Sequence, residues 1–209
     1  MDITANLISA RVAPVIRTST EAAARRGVEL LADEGFALFE ITLTTPGAME
    51  VIADLAKDPD LTVGVGTVLN VDQGKAAIDA GASFVVSPAF IPGLSETGAA
   101  SGVPVALGAA TPTEALRANE AGAAFVKVFP AAQLGGPGFI KALKSVYPMI
   151  DIMPTGGIEA GNLADYFAAG AACVGMGGKL VSDAALVAKD DEAIRAAART
   201  VKAALKELA

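Results

Sequence analysis

What most constrains the fold of this chain is an alternation that runs along almost all of it. Short apolar runs are each followed by a polar or glycine-containing turn and then by a helical pattern. The runs lie at 12–16 (VAPVI), 37–43 (ALFEITL), 61–66 (LTVGVG) and 83–87 (SFVVS), then at 103–107 (VPVAL), 124–129 (AFVKVF), 150–154 (IDIMP) and 172–176 (ACVGM). Helical patterns fall between them at 20–34, 46–57, 71–80, 112–121, 137–145 and 160–169. Strand alternating with helix predicts a parallel sheet covered by helices.

A weak internal repeat reinforces this. DEGF, DAGA, EAGA and AAGA place Gly35, Gly81, Gly122 and Gly170 one step before a strand. Glycine there suits the left-handed residue that ends a helix. At the other ends, Thr20 is placed to cap EAAARR, and Pro112 follows Thr111 as a first helical residue. Eight strand–helix units in 209 residues predict one (β/α)8 barrel domain spanning 1–209, with an amphipathic terminal helix at about 190–207. An open doubly wound sheet is the competitor, because local patterns do not report closure. No GxGxxG follows the first strand, which argues against a dinucleotide-binding version.

Composition narrows the function classes. Hydrophobic residues make up 53% and charged residues 19%, as expected of a packed globular chain. The net charge is −7 with no lysine- or arginine-rich block, so nucleic acid is not an expected partner. Cys173 is the single cysteine, which rules out an intramolecular disulfide and suits a reducing cytoplasm. The N-terminal stretch lacks a signal-peptide layout, and no apolar segment reaches the ~20 residues a bilayer requires. A cytoplasmic protein with no membrane partner is therefore expected. Histidine is absent, which removes the commonest general base and the commonest zinc ligand. Acid–base chemistry must fall to carboxylates, lysine, tyrosine or water, and no metal site is expected.

Against that background a few charges stand out. Of nine lysines only Lys127 lies inside a predicted strand, in FVKVFPA. Strand parity puts Phe125, Lys127 and Phe129 on one face and Val126 and Val128 on the other. With the valines against the helices, the lysine points into the barrel between two phenylalanines. Desolvation favours the neutral form of an amine, and a neutral amine can attack a ketone to form a Schiff base. The alternatives are a lysine that snorkels to the surface or one paired purely for stability. Glu40, in FEITLTT, is the one acid in the middle of a predicted strand. Parity sends it inward with Thr42 and Thr44, so lysine and glutamate are expected to work together in the barrel. An inert buried ion pair would be a weak stability device.

Arg17 ends the first strand, where barrel active sites gather, and suits a substrate carboxylate. It could equally bridge to a loop carboxylate. Two glycine-rich turns complete the set: PTGGI (154–158) after strand seven and GMGGKL (175–180) after strand eight. Turns in those places commonly cradle phosphate with backbone N–H groups.

Taken in order, FEITLTTPGA, GVGTVLN, FVVSPAF, TPTEAL, FVKVFPA, GPGFIKALK and MPTGGI resemble the 2-keto-3-deoxy-6-phosphogluconate aldolases. Relatives in that family act on 4-hydroxy-2-oxoglutarate or on the galactonate epimer. The resemblance runs from about Val12 to Asp183. It implies a metal-independent Schiff-base aldolase on a (β/α)8 barrel, a homotrimer, needing no cofactor. The substrate it implies is a phosphorylated keto acid, cleaved reversibly to pyruvate and glyceraldehyde 3-phosphate. By the same resemblance Lys127 forms the Schiff base and Glu40 shuttles protons. Arg17 and Thr67 lie near the pyruvyl carboxylate. Thr155, Gly156, Gly157 and Gly178 lie at the phosphate end, and Gly177 in the same turn is grouped with them.

The chain departs from that pattern in three places. Many members carry serine after the last glycine pair, where this chain has Gly178 followed by Lys179; the backbone or Lys179 could compensate. Some members carry arginine at the position of Thr44, and proline usually precedes the glycine matched by Gly108, where Leu107 stands here. Two other functions compete with this one. A ribulose-phosphate-epimerase-like barrel or a metal-dependent aldolase needs histidines the chain does not have. A non-catalytic reading, an aldolase-derived trimer kept or engineered as an assembly scaffold, draws on alanine-rich helices such as IRAAARTVKAAL, but Lys127 and Glu40 argue for retained chemistry.

Overall fold

The computed structural model describes residues 2–208. Eight parallel strands run in the order β7-β6-β5-β4-β3-β2-β1-β8. They are β1 (Val12–Ile16), β2 (Leu38–Thr42), β3 (Thr62–Gly66), β4 (Val85–Val86), β5 (Val105–Ala109), β6 (Phe125–Val128), β7 (Ile152–Pro154) and β8 (Val174–Met176). The two ends of that order meet through isolated bridges, Ile152 with Ala171 and Thr155 with Gly175, so the sheet closes into a (β/α)8 barrel.

The helices wrap it. They are α1 (Ile3–Ala10), α2 (Glu21–Asp33), α3 (Ala48–Leu55), α4 (Val71–Asp79), α5 (Leu94–Ala100) and α6 (Pro112–Glu120). After them come α7 (Gly136–Val146), α8 (Leu163–Ala168), α9 (Asp183–Val187) and α10 (Asp191–Glu207). A 3-10 turn over Ala160–Asn162 begins the segment expected as one helix at 160–169. The expected stops and starts hold. Gly35, Gly81, Gly122 and Gly170 all have positive φ, the conformation that spares a glycine the Cβ penalty. Thr20 accepts from the Ala23 N–H, and Thr111 forms a capping box with Glu114.

Strand periodicity divides the apolar side chains into two layers. Phe39, Ile41, Val63, Val65, Val126 and Val128 pack outward in the layer beneath the helices. Leu38, Phe84, Val86, Ala106, Phe125, Met153 and Cys173 fill the interior together with Leu7 of α1. Burial also pushes the Cys173 thiol well above its ordinary range, as an inert core thiol requires. Helix α10 buries Ile194, Ala198 and Val201, a stripe at helical spacing. Its arginines clasp the end of α2: Arg195 lies 2.7 Å from Asp33, Arg199 lies 2.9 Å from Glu34, and Arg26 pairs back to Asp191. Among the described residues no helix is long and apolar enough to cross a membrane.

Candidate active site

Lys127 sits in the middle of β6, in register with Gly108 of β5 and Met153 of β7. Its neighbours Val126 and Val128 face the helices, so the side chain points inward, and only 3% of the residue is exposed. Glu40 reaches the same interior from β2, fully buried, with Oε1 3.5 Å from the lysine Nζ. Its other oxygen, Oε2, has no partner among the described residues. The room for this carboxylate comes from β3, where a Cβ on Gly66 would collide with Oε1 and Cδ of Glu40. The ring centroid of Phe129 lies 5.8 Å from the ammonium. The expectation of a lysine between two phenylalanines thus resolves into a buried Phe125 below and a partly exposed Phe129 above.

Arg17 leaves the end of β1 and donates from Nη2 to the Thr67 hydroxyl at 3.1 Å, rather than bridging to a carboxylate. Thr67 holds a φ of 60°, unusual for a β-branched residue and of the kind that collects at ligand sites. Beside them, Thr42 donates to the Ile16 carbonyl at 3.1 Å and shares a 3.0 Å hydrogen bond with Thr44. Thr45 accepts from the Thr18 N–H at 3.2 Å. These hydroxyls tie the upper end of β2 to that of β1 and so fix the base of Arg17. Thr44, expected inward by strand parity, instead lies in the turn beyond the end of β2 and is exposed, because the alternation stops with the strand at Thr42.

The two glycine-rich turns face each other across a cavity of about 180 Å³. Arg17, Phe129, Thr155, Gly156, Gly157, Gly177, Gly178 and Lys179 line it; Lys127, Glu40, Thr44 and Thr67 do not. Gly156 and Gly157 need their positive φ, 98° and 76°. Gly177 and Gly178 have neither a positive φ nor any neighbour within 4 Å of a Cβ, so glycine there serves only to leave the cavity open. The amides of Gly157, Gly177 and Gly178 donate to no acceptor among the described residues, while Gly156 is tied into the bridge between Thr155 and Gly175. The Thr155 hydroxyl is buried on this wall and equally unpartnered. A wall of free N–H donors with a free hydroxyl suits an oxyanion.

Two supporting residues escaped the sequence reading. Gly66 stands in GVG, a strand glycine that signals a close approach, but the group approaching it is set by the pairing of β2 with β3. Asn162 donates from Nδ2 to the Gly157 carbonyl and accepts from the Glu159 N–H, both at 3.0 Å, and so braces the first glycine turn. Its sequence signal was a polar residue three places after Glu159 at a helix start.

The family model described as KDPG and KHG aldolase matches residues 3–197. A 2-dehydro-3-deoxy-phosphogluconate aldolase of Treponema pallidum is 41% identical over 159 residues, covering 76% of each chain. The enzyme of that name from Pseudomonas aeruginosa is 40% identical over 168 residues, covering 79% of this chain and 76% of its own. Among solved structures, the KDPG aldolase of Legionella pneumophila, with pyruvate captured as a covalent carbinolamine, superposes with a TM-score of 0.85. It is 32% identical, with 95% of this chain and 97% of that one covered. The chain belongs to the KDPG and KHG aldolase family.

Proposed function

We propose that this protein is a Schiff-base aldolase that cleaves 2-keto-3-deoxy-6-phosphogluconate reversibly into pyruvate and glyceraldehyde 3-phosphate. The observation that carries the reading is the interior pair: a buried lysine amine beside a carboxylate that keeps one oxygen free. In the proposed sequence the Lys127 amine adds to the C2 ketone, giving a carbinolamine. Glu40 donates a proton to the departing hydroxyl, which leaves as water, and a protonated imine remains. That imine draws in the electron pair of the C3–C4 bond, while Glu40 takes the proton of the C4 hydroxyl, directly or through water. Glyceraldehyde 3-phosphate departs and leaves an enamine, which receives at C3 the proton that Glu40 took up. Hydrolysis of the resulting imine releases pyruvate and restores the amine.

The two ends of the substrate take the remaining residues. Arg17, steadied by Thr67, receives the carboxylate, with Thr44 beside it; a guanidinium forms paired hydrogen bonds to such a group. Thr155 and the amides of Gly156, Gly157, Gly177 and Gly178 receive the phosphate. Support comes from the unpaired amides of Gly157, Gly177 and Gly178, from the unpartnered Thr155 hydroxyl and from the open space over the last two glycines. The family resemblance supports a homotrimer with one barrel domain per chain, and the free, buried Cys173 suits the cytoplasm. Light scattering at three times the 20.9 kDa chain mass would bear out the trimer, and a monomer mass would remove it.

Borohydride reduction in the presence of pyruvate, read by mass spectrometry, tests the central claim. The expected result is a covalent adduct on Lys127 that is lost in Lys127→Ala. An intact protein that traps no pyruvate overturns the reading.

A further inference from the structure

Lys179 stands between two adjoining cavities. On one side it lines the cavity with Gly156, Gly157, Gly177 and Gly178; on the other it lines a second cavity, of about 250 Å³, with Glu159, Ala160 and Thr200. Its Nζ lies 3.5 Å from Oε2 of Glu159, and both side chains are largely exposed. An exposed lysine–carboxylate pair at that separation is held loosely. The backbone of Glu159 is fixed, because its N–H donates to Asn162, and Asn162 in turn holds the Gly157 carbonyl. The ion pair therefore joins the turn after β7 to the turn after β8, at the edge of the donor-lined wall to which Lys179 belongs. Arg17, the other cation lining that cavity, is already engaged with Thr67. Backbone amides and a hydroxyl offer partial charges only, and a phosphate dianion entering a chain of net charge −7 calls for a full positive charge.

Resting on the aldolase reading above, we propose that Lys179 is a specificity-determining residue that selects phosphorylated keto acids, and that Glu159 holds it in reserve. When the phosphate group enters, the ammonium turns from the carboxylate to the dianion. When the phosphorylated product leaves, Glu159 takes the ammonium back and lowers the affinity that would otherwise retain that product. A lysine serves this purpose better than a rigid donor because its stem allows both positions.

The test compares Lys179→Met, Glu159→Gln and the double variant on two substrates, 2-keto-3-deoxy-6-phosphogluconate and the non-phosphorylated 4-hydroxy-2-oxoglutarate. The ratio of kcat/KM for the first over the second should fall about tenfold or more in Lys179→Met, carried by KM, the scale of one charge-assisted contact. Glu159→Gln should raise that ratio by about two- to fivefold, the scale of a weak exposed pair. The increase should vanish in the double variant, an outcome that a merely structural Glu159 would not give. Equal losses on both substrates in Lys179→Met, or an increase from Glu159→Gln that survives in the double variant, would overturn the proposal. Calorimetric titration with inorganic phosphate separates this from the aldolase reading. If the wild-type protein traps no pyruvate, the aldolase reading fails. The Lys179 assignment then stands or falls on whether phosphate binds about tenfold more weakly to Lys179→Met than to wild type, and equal affinity overturns it.

Discussion

Glu40 turns Oε1 toward Lys127 and leaves Oε2 without a partner among the described residues, although the side chain is fully buried. An unsatisfied carboxylate oxygen in a core is costly, and cores tolerate one where chemistry will use it. Replacing the acid by its amide keeps the shape and removes the proton exchange. Glu40→Gln is therefore expected to trap pyruvate on Lys127 but to turn over about 10²–10⁴-fold more slowly, the usual weight of an acid–base group. Trapping and turnover measured side by side check this, and equal turnover would take Glu40 out of the mechanism. At this scale the sequence was informative because a period of two decides which face a side chain takes. An ammonium or a carboxylate in an apolar strand declares itself by contrast with its neighbours. Gly66 was not legible in the same way. Its meaning is the space it gives to Glu40, and that depends on Thr42 pairing with Gly66 and Glu40 with Gly64 across two strands.

Among the elements, the long helices and most strands followed from pattern, while α1, α5 and α9 did not. The last two are 7 and 5 residues long, too short to complete the two turns over which a helical period becomes visible. Helix α1 has eight residues and buries only Leu7 fully, so its sequence carries little amphipathic signal. Its role comes from tertiary position: Leu7 enters the interior layer with Ala13, Leu38, Phe84 and Cys173. Strand β4 is formally two residues, Val85–Val86, because its apolar run is longer than the stretch that finds ladder partners. Removing the plug tests the role of α1. Leu7→Ala should lower stability by about 2–4 kcal/mol, the range for a buried leucine that leaves a cavity. Urea denaturation measures it, and a loss below about 0.5 kcal/mol, a surface-like value, would show that α1 merely decorates the barrel.

For the molecule as a whole, eight strand–helix units could be counted in the sequence, but their closure into a ring could not. No local pattern records which strand lies beside β8. Helix α10 adds a second long-range tie through paired charges. The guanidinium of Arg199, followed by that of Arg195, holds the Glu34 carboxyl below its ordinary range, and Arg26 does the same to Asp191. On the far side of α2, the Lys57 ammonium and then Arg25 lower Asp54. A carboxyl whose folded-state value lies below its unfolded one adds stability above the ordinary carboxylate range. That stability is lost as pH falls through the lowered folded-state value. The urea midpoint should therefore drop as pH is taken from about 5 toward 3, and the drop should be smaller in Glu34→Gln. A midpoint that stays level over that interval would show that these exposed pairs add nothing. The closure itself is uneven. Strands β1 and β8 pair over three residues, whereas among the described residues the segments of β7 and β8 meet at two isolated bridges, Ile152 with Ala171 and Thr155 with Gly175. That second bridge lies at the base of both glycine turns, just before Gly156–Gly157 and Gly177–Gly178. A phosphate held by both turns would be a clasp across a lightly paired seam of the hoop, firm while the cargo is aboard. Once it has gone, the same part is free to spring.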